Sequence, residues 1–279
     1  MKNLVKKLAF GARVLLSRGN GQEETIALPG RSVALRHHGE GPTFVYLHSA
    51  MGEGVMWLPF MQTWSKRFHV YVPVHPGFGA STGFDRIDAI EDMAFAYAEL
   101  FDALGLEDFV LVGHSLGGWI AAEYAIRWPE RVTKLVISGA PGLWVDDHPP
   151  ADLFRLVQDR DAMRALLFHD PAGPIASLVM KENPTEQELL FGYQAMTVLA
   201  RLVWKRPYDP KLADRLYRIA CPTLVLWGAN DRLVPPAHGE AYHRLVPGST
   251  FATIAECGHL PMFEREAEYV AKVLAFVAG

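Results

Sequence analysis

Along the chain, short apolar runs alternate with longer stretches of helical period. The runs are "TFVYLHS" (43–49), "FHVYVPV" (68–74), "DFVLVGH" (108–114), "TKLVISG" (133–139), "PTLVLWG" (222–228) and "STFATIA" (249–255). They are rich in Val, Ile, Leu and aromatics, and several lack a polar residue at every second position. Strands covered on both faces read this way, because neither face meets water. Between them, "IEDMAFAYAELFDALGL" (90–106), "LGGWIAAEYAIRW" (116–128) and "AEYVAKVLAFVAG" (267–279) bring apolar side chains to one face every three or four residues. Alternating strands and helices predict a doubly wound, mostly parallel α/β sheet. An earlier pair, "ETIALPG" and "SVALRHHGEG", reads as an antiparallel edge hairpin turning at Pro29-Gly30.

The rhythm breaks from about Pro141 to Pro210. No convincing strand occurs there; "DLFRLVQDRDAMRALLF" (152–168) and "TEQELLFGYQAMTVLARLVW" (185–204) are helical instead. The expected organisation is a core of residues 1–140 and 211–279, with 141–210 inserted between two strands as a helical cap. The N-terminus carries Lys2, Lys6, Lys7, Arg13 and Arg18, while Leu4, Leu8, Ala12 and Leu15 recur at helical spacing. A short amphipathic helix is expected there, its basic face suited to weak contact with a membrane surface. Arg13 splits the apolar region and no small-x-small cleavage site follows, which argues against a signal peptide.

Candidate chemistry sits at the ends of the strands. Gly113-His114-Ser115-Leu116-Gly117 fits G-x-S-x-G between a predicted strand and a predicted helix. That context makes a sharp turn that lifts the serine hydroxyl above the sheet, with small neighbours needed on both sides. The helix then aims its N-terminal N–H groups at developing negative charge. A hydroxyl needs a base, and the base needs an orienting acid. Asp231 follows the strand in "LWGANDRLVP", and His259 follows the last strand in "IAECGHLPMFE". Asp146 and Asp147 in "LWVDDHPP" are the alternative acid position. The N–H of Leu116 and, from the loop "HSAMGEG", the N–H of Ala50 are the candidate oxyanion donors. His48, Ser49, His114, Trp144 and Leu260 are the candidate pocket residues.

These motifs resemble the α/β-hydrolase superfamily. "YLHSAMGEG", "HPGFGAST", "VGHSLGGW", "GANDRLVP" and "CGHLPMFE" follow its order and spacing over nearly the whole chain. Ser49 stands where that family usually has glycine, and His75 where it usually has aspartate. The resemblance implies Ser115, Asp231 and His259 as a triad. It implies a serine hydrolase, with esters of small to medium apolar substrates as the first expectation. Two alternatives stay open: hydrolysis of a carbon–carbon bond in a ring-fission product, and a ligand-binding receptor on the same fold. Against the ring-fission alternative, Met51-Gly52-Glu53 stands in place of a Gly-Pro-Gly-like loop, and Leu260 in place of a tryptophan after the histidine.

Composition narrows the rest. A net charge of −4 gives no field for nucleic acid. The two cysteines, Cys221 and Cys257, exclude a disulfide scaffold and suggest a reducing, cytoplasmic setting. No metal-ligand or phosphate-loop spacing appears, so no metal and no cofactor is expected. Oligomeric state is open on sequence alone.

Overall fold

A computed structural model of the chain describes residues 21–279. The N-terminal helix expected before Gly19 lies outside the described residues. Eight strands form one sheet: β1 Gln22–Leu28, β2 Arg31–His38, β3 Thr43–Leu47, β4 His69–Pro73, β5 Phe109–His114, β6 Val132–Ser138, β7 Thr223–Gly228 and β8 Thr250–Ile254. Their order is β1-β2-β4-β3-β5-β6-β7-β8. The first three in that order pair antiparallel, and every pairing from β4 onward is parallel. The edge hairpin turns as its sequence suggests, with Gly30 at φ 76° in the left-handed region. The central strands β5 and β7 are buried at every residue, which explains their uninterrupted apolar runs.

Helices cover both faces. They are α1 Pro59–Trp64, α2 Ile90–Ala103 and α3 Leu116–Arg127, then α4 Arg160–Leu167, α5 Pro174–Val179 and α6 Glu186–Val203, then α7 Pro236–Leu245, α8 Pro261–Glu264 and α9 Glu266–Ala278. Helix α3 packs between α2 and strands β5 and β6 and is buried along almost its whole length. Trp64, Tyr46, Phe60 and Tyr269 fill the core on the side of α1 and α9.

Helices α4 to α6 form a helical insertion between β6 and β7. The stretch 152–168 is divided: a 3-10 turn spans Leu153–Leu156, and α4 begins only after Asp159, whose carboxylate accepts the N–H of Ala162. An acidic cap inside a helical pattern restarts the helix, because it satisfies donors that an uninterrupted helix would satisfy itself. Thr185 and Glu188 form a reciprocal capping box that starts α6. The two stems of the insertion meet in a single bridge between Gly142 and Tyr208, with the N–H of Asp209 donating to Gly142 O at 2.9 Å. No helix among the described residues is long and apolar enough to cross a membrane.

Candidate active site

Ser115 sits between the end of β5 and the start of α3 at φ 54°, ψ −118°. A side chain other than glycine holds that conformation only where its surroundings impose it. The neighbouring glycines show how they do so. A Cβ on Gly113 would lie 2.2 Å from Gly117 O, and one on Gly117 would lie 2.1 Å from Leu47 O. The backbones of β3, β5 and α3 thus meet at a distance that leaves no room for a side chain. Ser115 N–H donates to Ser138 O at 2.8 Å, which ties the turn to β6.

The sequence places Ser115, Asp231 and His259 far apart, and the fold brings them together. Ser115 Oγ lies 2.9 Å from His259 Nε2, and His259 Nδ1 lies 2.7 Å from Asp231 Oδ2. Asp231 Oδ1 accepts the N–H groups of Leu233 at 3.0 Å and Val234 at 2.9 Å. With that carboxylate accepting throughout, His259 Nδ1 carries the proton and Nε2 is left to accept from the serine hydroxyl. All three side chains are buried. Asp146 instead accepts the indole N–H of Trp144, and Asp147 is exposed at φ 65°. The alternative acid position does not reach His259.

The two candidate oxyanion donors lie at the start of α3 and in the loop after β3. Leu116 opens α3, so its N–H has no partner within the helix. The N–H of Ala50 has no hydrogen-bond partner among the described residues. The loop carrying it runs close to α3, since Gly117 N–H donates to His48 O at 3.1 Å. The arrangement can transfer a proton from hydroxyl to imidazole.

The candidate pocket residues occupy distinct surroundings. His48 is wholly buried beneath the loop: its Nδ1 donates to Ser49 O at 2.6 Å, and its Nε2 accepts from His75 N–H at 2.9 Å. Ser49 turns its hydroxyl inward to Glu53 at 2.6 Å. Trp144 is half exposed and stands by Tyr208 in a shallow cleft with Leu143, Asp209, Ala241 and Leu245. The loop's hydrogen bonds set the direction of the His48 and Ser49 side chains, and the insertion's stem that of Trp144. His114 is buried 5.0 Å from the His259 ring, its Nδ1 3.3 Å from Ser138 Oγ. Leu260 is buried beside the catalytic-side loop and packs into the core. Burial, and then the neighbouring His259, hold the His114 imidazole well below the usual histidine range. Burial does the same to His75, with His48 adding to the shift.

Residues not singled out in the sequence also shape the site. His259 N–H donates to Leu167 O at 2.8 Å, at the end of α4. Glu264 accepts the N–H groups of Gly258 and His169, both at 2.7 Å, and so joins the histidine loop to the insertion. Phe191 of α6 closes over Gly52: a Cβ there would meet its ring at 2.3 Å. The acidic trio Glu91, Glu123 and Asp209 has the spacing of a metal site, yet the Arg215 guanidinium reaches all three carboxylates. Both cysteines are free and buried.

Comparison with known proteins agrees with this geometry. The model of the Alpha/beta hydrolase family matches residues 44–273. The chain is 28% identical over 262 residues to a 2-hydroxy-6-oxo-6-phenylhexa-2,4-dienoate hydrolase of Comamonas testosteroni, covering 86% of this chain and 88% of that one. It is 28% identical over 220 residues to a 2-hydroxy-6-oxononadienedioate/2-hydroxy-6-oxononatrienedioate hydrolase of Klebsiella pneumoniae, covering 73% and 74%. Among solved structures, a bacterial membrane phospholipase A superposes with a TM-score of 0.77 at 25% identity, covering 99% of this chain and 96% of that one.

Proposed function

The chain belongs to the alpha/beta hydrolase family and is a serine hydrolase, and from that premise we propose that Ser115 attacks a carbonyl carbon to form an acyl-enzyme. The observation that carries the reading is the continuous chain of hydrogen bonds from Ser115 through His259 to Asp231. His259 Nε2 takes the hydroxyl proton as the Oγ–carbon bond forms. The N–H groups of Ala50 and Leu116 receive the oxyanion, each worth about 3 kcal/mol of barrier. His259 returns the proton to the leaving group as its bond to the carbonyl carbon breaks. Water, deprotonated by the same imidazole, then releases the acid. Asp231 holds the imidazole tautomer and stabilises its charged form.

Two scissile bonds suit this sequence of steps. The curated relatives support the carbon–carbon bond beside a ketone better than the ester that the sequence puts first. Once a 2-hydroxy-6-oxo dienoic acid has moved its enol proton to the carbon beside the ketone, that carbon can depart as a dienolate, its electron pair held by the 2-oxo oxygen, and the dienolate then takes a proton as an alkoxide does. Ester hydrolysis is the second reading, on a specific observation. A dienoic acid brings a carboxylate that calls for a cation. Yet Arg164 of the insertion is committed to Met180 O, and Arg232 to Ala165 O and Phe168 O. The phospholipase likeness supports esters as well.

The test compares wild type with Ser115→Ala on a 2-hydroxy-6-oxo dienoate and on short and medium chromogenic esters. Loss of the serine should lower kcat by about a millionfold on the true substrate class. A higher kcat/KM on the dienoate supports carbon–carbon cleavage, and a higher one on esters replaces it. Equal turnover by Ser115→Ala and wild type would overturn both.

A further inference from the structure

The loop that offers Ala50 contains a buried carboxylate with no part in proton transfer. Glu53 is only 3% exposed. Its Oε1 accepts Ser49 N–H at 2.8 Å and the Tyr46 hydroxyl at 2.8 Å. Its Oε2 accepts the Ser49 hydroxyl at 2.6 Å. Ser49 Oγ, having given its proton away, accepts Met51 N–H at 3.0 Å, and Ser49 O accepts Gly52 N–H at 3.0 Å. Of the amides from Ser49 to Gly52, the one without a partner among the described residues is that of Ala50. A buried carboxylate is costly unless donors surround it, so the three donors and the loop conformation require one another. Tyr46 remains a dependable donor, because burial, and then Glu53, push its hydroxyl well above the usual tyrosine range.

We propose that Glu53, acting through Ser49, is a positioning residue that sorts the loop's amides so that only Ala50 N–H faces the oxyanion. The proposal rests on the acyl-transfer reading above. It gives the buried Ser49 hydroxyl a purpose. The hydroxyl replaces backbone freedom with a fixed bond at each end, one to Glu53 and one to Met51 N–H. The contribution is to the transition state, since an ester or ketone oxygen in the ground state draws little on that donor.

The experiment compares wild type, Ser49→Ala, Ser49→Thr and Glu53→Gln. It measures kcat, KM, the rate constant for labelling Ser115 with a fluorophosphonate, the labelled fraction and Tm. Ser49→Ala and Glu53→Gln should lower kcat and the labelling rate constant about ten- to hundredfold, part of the full value of one oxyanion donor, with KM nearly unchanged. Ser49→Thr keeps the hydroxyl and should restore both. A purely structural role would lower Tm and the labelled fraction while the folded molecules react at the wild-type rate. That result in either variant overturns the proposal and leaves the Ser115 reading standing. If Glu53→Gln does not fold, Ser49→Ala decides alone. A wild type that neither labels nor turns over any substrate overturns the acyl-transfer reading itself, and this proposal with it.

Discussion

The carboxyl ends of the central strands and the inserted helices meet around Ser115 but are built to opposite rules. At those strand ends, β3, β5 and α3 approach so closely that glycine alone fits at 113 and 117, and the triad is almost wholly buried. In the insertion, Leu189, Leu190 and Tyr193 of α6 and the adjoining Trp204 are each more than half exposed. The first region fixes three functional groups by backbone contact and permits almost no change. The second tolerates apolar side chains in water and touches the chemistry at few points, through Leu167 O, His169 N–H and the Phe191 ring. Bond-breaking geometry therefore belongs to the sheet, with the insertion meeting it only at those points.

Substitutions can break that division. The largest effect should follow Asp231→Asn, which leaves the packing but disturbs the imidazole tautomer: kcat should fall about ten-thousandfold with Tm nearly constant. Next comes Gly117→Ala, whose Cβ would drive into Leu47 O; chemical denaturation should show a loss of about 3 kcal/mol, with activity falling as the elbow shifts. A third expectation concerns acid. His48, His75 and His114 are buried and held below the usual histidine range. The unfolded chain then binds protons that the folded one refuses, so their contribution is intact above about pH 6.5 and is lost as pH falls below it, at up to about 1.4 kcal/mol per pH unit for each. Denaturation midpoints from pH 7.5 to 5 measure this, and His75→Gln should flatten the slope if it folds. The smallest effect should be Leu190→Gln on the exposed face of α6, within about 0.5 kcal/mol of wild type. A large change there would show the two regions to be less separate than their packing indicates.

Sequence made the central strands and their ends far more legible than the insertion, and for the same physical reasons. Strands β5 and β7 announce themselves because burial on both faces removes polar alternation. The elbow is readable because its backbone excludes side chains, and Asp231 and His259 because each follows a strand in fixed order. Side-chain direction has no such local signature. Trp144, Ser49 and His48 lie near motif residues in sequence, yet one faces an outer cleft and two face inward. Glu53 has no such signature either, because its meaning depends on Tyr46, seven residues earlier on β3, and on the Ser49 hydroxyl. The division of 152–168 into two elements turned on a single cap, Asp159, that a periodicity count does not weigh.

The bridge between Gly142 and Tyr208 has a consequence for how such a chain can change over time. Both stems of the insertion are fastened to each other where they leave adjacent strands, so whatever lies between them starts and ends at one place. Lengthening a closed segment costs little once its ends are fixed: each doubling adds only about 0.6 kcal/mol. The stretch between the stems can thus be lengthened, trimmed or exchanged as a cassette without shifting the register of β6 on β7. Diversification is easy at that junction and prohibitive at Gly117.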